Sequence, residues 1–136
     1  MYLNCKTYFS YRYGTFSTTE LVEEGAEKGA EAMALTNINN TSDWWDFYTF
    51  CQEKNIKPVL GVEIRNEDEL VFIVIAKDKE GLLEINRFLS CHLQGSGSFP
   101  SVHSWSAQVW VIYPLGKKDP SALSENERIG LRASEV

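Results

Sequence analysis

Three cysteines, Cys5, Cys51 and Cys91, are spread through 136 residues with no Cys-x-x-Cys pair among them. That sparseness excludes a disulfide framework, offers no zinc knuckle, and fits a reducing cytoplasm. Long apolar runs are missing as well: none approaches the roughly 20 residues a spanning helix needs. No basic segment precedes an apolar stretch at the start, so a soluble, untargeted protein is expected. Clustered Lys and Arg are also absent. With 13 basic against 19 acidic residues the formal charge is -6. That is the wrong sign for a surface that grips nucleic acid through its phosphates, and no direct DNA binding is expected from this chain.

What the chain does have is 43% hydrophobic and 12% aromatic residues, enough for one modest core but not for two domains. Strand-like and helix-like segments alternate along it. Phe16-Ser17-Thr18-Thr19-Glu20-Leu21 sets Ser17 and Glu20 at capping-box spacing with Phe16 and Leu21 as a staple, so a helix is expected from about Thr18. Small residues Gly25, Ala26 and Gly29 let that helix approach a sheet, and Gly29 is its stop. A short buried strand follows over 32–36. Ser42 or Asp43 caps a second helix whose Trp44, Phe47, Tyr48 and Cys51 share one face. Such a stripe is either core or a base-stacking platform, and its acidic neighbours Asp43, Asp46 and Glu53 favour core.

Strands over 57–65 and 70–76 are separated by Asn66-Glu67-Asp68-Glu69, a connection too short for anything but an antiparallel pair. That acidic run is read as a solvated hairpin tip in preference to a carboxylate metal site. Asp78 caps a third helix to about Leu93, with Leu82, Ile85, Leu89 and Leu93 on its buried side. The Gly/Ser-rich stretch 94–107 contains Pro100 and has no periodicity, so a mobile surface loop is expected there. A strand over 109–113 ends at Pro114, and the tail 116–127 is polar. A last short strand over 128–132 precedes Ser134-Glu135-Val136, which looks like the first turn of a helix, so the chain is expected to stop mid-unit.

Three stretches stand out for chemistry: residues 2–10, Ala34-Leu35-Thr36-Asn37-Ile38-Asn39-Asn40, and Gly61-Val62-Glu63. Each is an apolar run that breaks off in polar residues, the form taken by buried parallel strands that deliver side chains to one rim. Other candidates are weaker. Cys5 alternates with Leu3 in a strand and reads as core before nucleophile. His92 near a helix end and His103 in a loop have no partner nearby in sequence.

Tyr8-Phe9-Ser10 with Tyr13-Gly14-Thr15, the frame Ala34-Leu35-Thr36-Asn37, Ile56-Lys57-Pro58-Val59-Leu60-Gly61-Val62-Glu63, and Val111-Ile112-Tyr113-Pro114-Leu115 together carry a resemblance over nearly the whole chain. They resemble the PHP (polymerase and histidinol phosphatase) domain at the N-terminus of bacterial DNA polymerase III alpha subunits. The resemblance implies an α/β fold in which residues 1–136 are the truncated first part of a distorted (β/α)₇ barrel, with a largely parallel sheet and one antiparallel hairpin.

Active members of the family hold metal ions with His and carboxylate ligands, polarising phosphate and activating water. By matching positions, Asn4 and Lys6 stand where paired ligands would be and Asn37-Ile38 where Asp-His would be, while Glu63 keeps a ligand type. These positions are therefore expected to be vestigial, with no metal and no catalytic residue in the segment. Lys6 is either the counter-charge for a Glu63 otherwise left uncompensated or a side chain that points to solvent. The function implied is the N-terminal segment of a replicative DNA-directed DNA polymerase, serving a structural and docking role. The parent nucleotidyltransferase would use Mg in a downstream domain. Implied partners are the remainder of the polymerase chain, the proofreading exonuclease and other replisome subunits. The alternative is a stand-alone PHP-type metal-dependent phosphoesterase or exonuclease, against which the missing ligands count.

Overall fold

A computed structural model describes residues 1–95 and 97–136. The chain forms two compact units, residues 1–62 and 63–136. The first contains β1 (Tyr2–Cys5), α1 (Thr18–Glu27), β2 (Ala32–Ile38), α2 (Trp44–Glu53) and the opening of β3 (Lys57–Asn66). β1 runs parallel to β2, with Tyr2 opposite Met33 and Cys5 opposite Leu35 across a register shift. α1 supplies the crossover that a parallel pair requires.

The start of α1 follows the local sequence code. Ser17 Oγ accepts from the Glu20 N–H at 3.2 Å and Glu20 Oε2 accepts from the Ser17 N–H at 2.8 Å, closing the expected capping box. Leu21, Val22 and Gly25 are buried. At Gly25 a Cβ would come 2.2 Å from Met33 Sδ, so the glycine sets how closely α1 lies on β2. The helix stops at Gly29, whose φ of 69° suits glycine. The Gly29 N–H donates to the Ala26 carbonyl and the Ala30 N–H to the Gly25 carbonyl, a Schellman ending.

β2 carries the core of this unit through Met33, Ala34 and Leu35, all buried. β1 does not share that burial: Tyr2 and Leu3 are exposed, against the expectation of a buried strand. It stands first in the strand order of the described residues. α2 packs on α1, burying Trp44, Phe47 and Cys51 as the periodicity requires. Tyr48 departs from the predicted stripe. It is 42% exposed and stacks with Trp45, which is 75% exposed, at 6.1 Å between ring centroids. Tyr48 lies at the edge of the apolar face, three residues beyond Trp45, where an aromatic ring can leave the core for a neighbour on the same helix.

The second unit holds the rest of β3, then β4 (Glu69–Ala76), α3 (Lys79–Leu93), β5 (Val109–Pro114), a 3-10 turn at Pro120–Ala122, β6 (Glu127–Gly130) and a final 3-10 turn at Ala133–Glu135. Its strands lie in the order β3, β4, β5, β6. β3 and β4 form the expected hairpin around Glu67 and Asp68, with Glu67 at φ 54°. β4 is antiparallel to β5, Ile73 facing Ile112, and β5 is parallel to β6, Val111 facing Glu127. The fold is thus mixed α/β with a mostly parallel sheet interrupted at β4.

Asp78 Oδ1 accepts from the Gly81 N–H at 2.9 Å and caps α3. Ile85 and Leu89 are buried as expected, but Leu82 is only half-buried and Leu93 is 56% exposed. The buried face turns instead through Phe88, whose ring lies 4.8 Å from Trp105, 4.7 Å from His103, 4.3 Å from His92 and 5.7 Å from Phe99. The stretch 94–107 is therefore not a free loop: Phe99 and Trp105 are buried. Asn66 holds Phe99 by both its amide groups, accepting from the Phe99 N–H at 2.7 Å and donating to the Phe99 carbonyl at 2.9 Å. Glu84 accepts from the Ser106 N–H at 2.9 Å. Ser96, within that stretch, lies outside the described residues. Absence of periodicity hid two aromatic anchors, because an irregular segment needs only a few large side chains to be fixed.

The polar tail is organised around Glu127. Lys118 Nζ donates to both its carboxylate oxygens at 2.7 and 2.6 Å, the Ser124 N–H donates at 2.8 Å, and the Tyr113 hydroxyl lies at 3.3 Å. Burial works to raise the Glu127 pKa, but the hydrogen bonds from Lys118 and Ser124 outweigh it and hold the carboxyl below its ordinary range. Tyr113 is pushed up to about 12 by burial, with Glu127 adding to the shift. A depressed carboxyl pKa contributes stability that is present above its unfolded pKa and lost as pH falls through the folded value. Lys118→Met should therefore cost about 1–3 kcal/mol at neutral pH by leaving a buried acceptor under-satisfied. The difference from the unsubstituted chain should shrink on acidification, read from urea unfolding at neutral pH and at pH values below the carboxylate range.

Candidate functional site

The first unit gathers its polar side chains where β1, β2, α1 and α2 meet. After β1 the chain turns sharply: the Ser10 N–H donates to the Thr7 carbonyl at 2.9 Å, and the Tyr13 and Gly14 N–H groups donate to the Ser10 carbonyl at 2.9 and 3.0 Å. Gly14 is required here, because a Cβ would fall 1.9 Å from Thr7 O. The turn drops Thr7 and Ser10, both buried, beside the end of β2.

Asn37, fully buried in β2, is the hub. Its Oδ1 accepts from the Thr7 N–H at 2.9 Å and from Ser10 Oγ at 2.7 Å. Its Nδ2 donates to Thr7 Oγ1 at 2.9 Å and to Asp43 Oδ1 at 2.8 Å. Both acceptor sites and both donor hydrogens of the amide are thereby used. Asp43 Oδ2 accepts from the Thr7 and Thr18 hydroxyls at 2.7 and 2.9 Å. Ser10 Oγ in turn accepts from the Ile38 N–H at 3.0 Å.

The positions singled out in the sequence divide between this cluster and its surroundings. Asn37 is central. Asn4 and Lys6 are brought together nearby: Asn4 Oδ1 accepts from Lys6 Nζ at 2.7 Å and from Thr36 Oγ1 at 2.6 Å. Ile38 joins only through its backbone, its side chain half-buried. Glu63 belongs to the second unit, where it is buried and forms an ion pair with Arg65. Arg65, two residues along β3 and so on the same face, gives this carboxylate a counter-charge.

Thr7, Ser10, Thr18, Asp43 and Arg65 were not foreseen as site residues. Asp43 was read as a cap for α2 and does stand at that position, yet it makes no side-chain cap hydrogen bond. Its carboxylate is committed to the cluster. The Arg65 partnership, by contrast, was open to view in the i, i+2 spacing.

A metal ion of the kind the family resemblance implies does not fit these donors. The Asn4 and Asn37 carbonyl oxygens each already accept two hydrogen bonds. Lys6 brings a cation and Ile38 has no lone pair. Among the described residues no three His, Cys, Asp or Glu side chains are grouped to hold a metal. Neither Cys5 nor Cys51 is an activated thiol: burial raises Cys5 against the lowering effect of Lys6, and burial pushes Cys51 up to about 12. His103 is pulled down by burial within the aromatic cluster, and His92 Nδ1 lies 2.8 Å from the Phe88 carbonyl. Among the described residues no helix is long and apolar enough to cross a membrane.

A family model for the PHP domain matches residues 3–113. The chain is 30% identical over 90 residues to an error-prone DNA polymerase of Symbiobacterium thermophilum, across 66% of this chain and 8% of that protein. It is 24% identical over 118 residues to DNA polymerase III subunit alpha of Staphylococcus aureus, across 82% and 11%. Against DNA polymerase III subunit alpha of Chlamydia pneumoniae it is 36% identical over 61 residues, 45% of this chain and 5% of that one. The chain thus spans about a tenth or less of the length of these relatives. Among solved structures, a protein assigned as a metal-dependent phosphoesterase from Bifidobacterium adolescentis aligns with 68% of this chain and 34% of its own, at a TM-score of 0.49 and 23% identity.

Ser10→Ala removes a donor to Asn37 Oδ1 and the acceptor of the Ile38 N–H, and is expected to cost about 1–3 kcal/mol in urea unfolding. Tyr11→Ala, one residue on but 84% exposed, should change stability by no more than about 0.5 kcal/mol. Equal effects of the two would mean that the cluster does not hold the turn.

Proposed function

The chain belongs to the PHP domain family, and on that premise we propose that it is the N-terminal PHP-domain segment of a replicative DNA-directed DNA polymerase of the alpha-subunit type. In this reading it is a metal-free structural and docking element, and nucleotide addition is carried out with Mg by a downstream domain of the parent protein. The relatives named as DNA polymerase III subunit alpha and error-prone DNA polymerase support the assignment to such a chain. The observation that carries the non-catalytic role is the saturated amide of Asn37. An oxygen that already accepts two short hydrogen bonds inside a buried network has no lone pair left to hold a cation. Its neighbours offer no replacement, and without a metal-activated water the segment has no means of phosphoester hydrolysis. Partners of this reading are the remainder of the polymerase chain, a proofreading exonuclease and other replisome subunits, in the cytoplasm.

Elemental analysis after dialysis against excess zinc and manganese is expected to find no retained metal. A single-stranded DNA labelled at its 3′ end and an aryl phosphate should both survive incubation with the chain. Near-stoichiometric metal, with turnover that persists through repurification and falls on Glu63→Ala, would replace this reading with that of a PHP-type phosphoesterase or exonuclease. A protein carrying the segment is expected to extend a primed template in Mg. Failure to extend removes the polymerase assignment and leaves the metal result standing.

A further inference from the structure

Asp43 is a buried carboxylate, 1% exposed, and the donors that reach it are all neutral: the hydroxyls of Thr7 and Thr18 and the amide of Asn37. An anion withdrawn from water is costly unless hydrogen bonds replace its hydration, and three convergent donors do that here. The three donors and their acceptor come from four places in the first unit. Thr7 follows β1, Thr18 opens α1, Asn37 ends the buried run of β2, and Asp43 itself begins α2. We propose that this carboxylate is a built-in tie that needs no metal ion: a fixed anion, ringed by neutral donors, that holds the ends of β1 and β2 and the starts of α1 and α2 together.

The tie depends on residues 37 and 43 differing in kind. Asn37 Nδ2 stands 2.8 Å from Asp43 Oδ1. The family resemblance puts Asp at position 37. In this chain that change would set a second carboxylate oxygen at hydrogen-bond distance from the first and delete both donor hydrogens. Two carboxylates so placed cannot both stay ionised without a proton or a cation between them. One amide and one carboxylate are therefore required across this contact, and either residue can be the carboxylate so long as the other is the amide. The inference rests on these hydrogen bonds and not on the polymerase assignment.

The test is thermal unfolding of the full chain at neutral pH, followed by circular dichroism, for Asn37→Asp, Asp43→Asn, the double exchange and Thr18→Val. Asn37→Asp in a chelator is expected to lower the Tm by about 5 °C or more, and millimolar manganese should restore part of that loss. The double exchange should be more stable than the sum of the two single losses allows, since it restores one carboxylate and one amide. Thr18→Val, which keeps the shape and removes one donor, should lower the Tm without making it metal-dependent. The unsubstituted chain should unfold at the same temperature in chelator and in manganese or zinc. Additive losses in the double exchange, or an Asn37→Asp chain as stable as the original, would overturn the tie while leaving the proposed function untouched. Should Asn37→Asp fail to fold even with manganese, an unchanged Tm for Thr18→Val would overturn it equally. Metal stabilisation of the unsubstituted chain would overturn it together with the metal-free part of the proposed function.

Discussion

The first unit depends on a single carboxamide. Asn37 lies where a buried strand ends, and the two chemically different halves of its side chain face two different clients. The carbonyl oxygen receives the turn that follows β1, and the nitrogen reaches the carboxylate at the head of α2. No other uncharged side chain of that size offers two donors and two acceptors in one plane except glutamine, which is a methylene longer. Because every position is occupied, the network is directional and leaves little room for an alternative arrangement. That completeness is what fixes the strand ends.

The chain's legibility follows the range of each interaction. The capping box of α1, the Gly29 stop, the Asp78 cap and the β3–β4 hairpin were all readable, because each is decided by residues within a few positions of one another. Asp43 was misleading for the same reason: locally it is a good helix cap, and only its contact with Thr7, 36 positions earlier, withdraws the carboxylate from that role. The role of Asn37 was half visible. The frame around it marked the position for attention, but nothing in the sequence said that its amide would be matched to a carboxylate six residues on. Ser10 and Thr18 gave no signal beyond being polar.

In the second unit the expectations failed where pattern was taken as a proxy for order. The irregular stretch 94–107 has no period, yet Phe99 and Trp105 bury themselves around Phe88 and Asn66 grips the backbone at Phe99. Leu93 continued the helical period on paper, but Phe88 drew the buried face toward itself and left Leu93 in solvent. Glu63 shows the opposite case. Its partner Arg65 lies two residues away on the same face of β3, a spacing short enough to be legible.

The aromatic residues also set what light can report about the chain. Of the four tryptophans, Trp44 is buried in the first unit and Trp105 in the second, while Trp45 stands 75% exposed on the outer side of α2. Emission from an indole shifts to the red as it passes from an apolar surrounding into water, and Trp45 has little of that passage left to make. Each unit thus contains its own optical probe, set against a constant background, and with Trp44 replaced by phenylalanine the remaining shift would belong to the second unit alone.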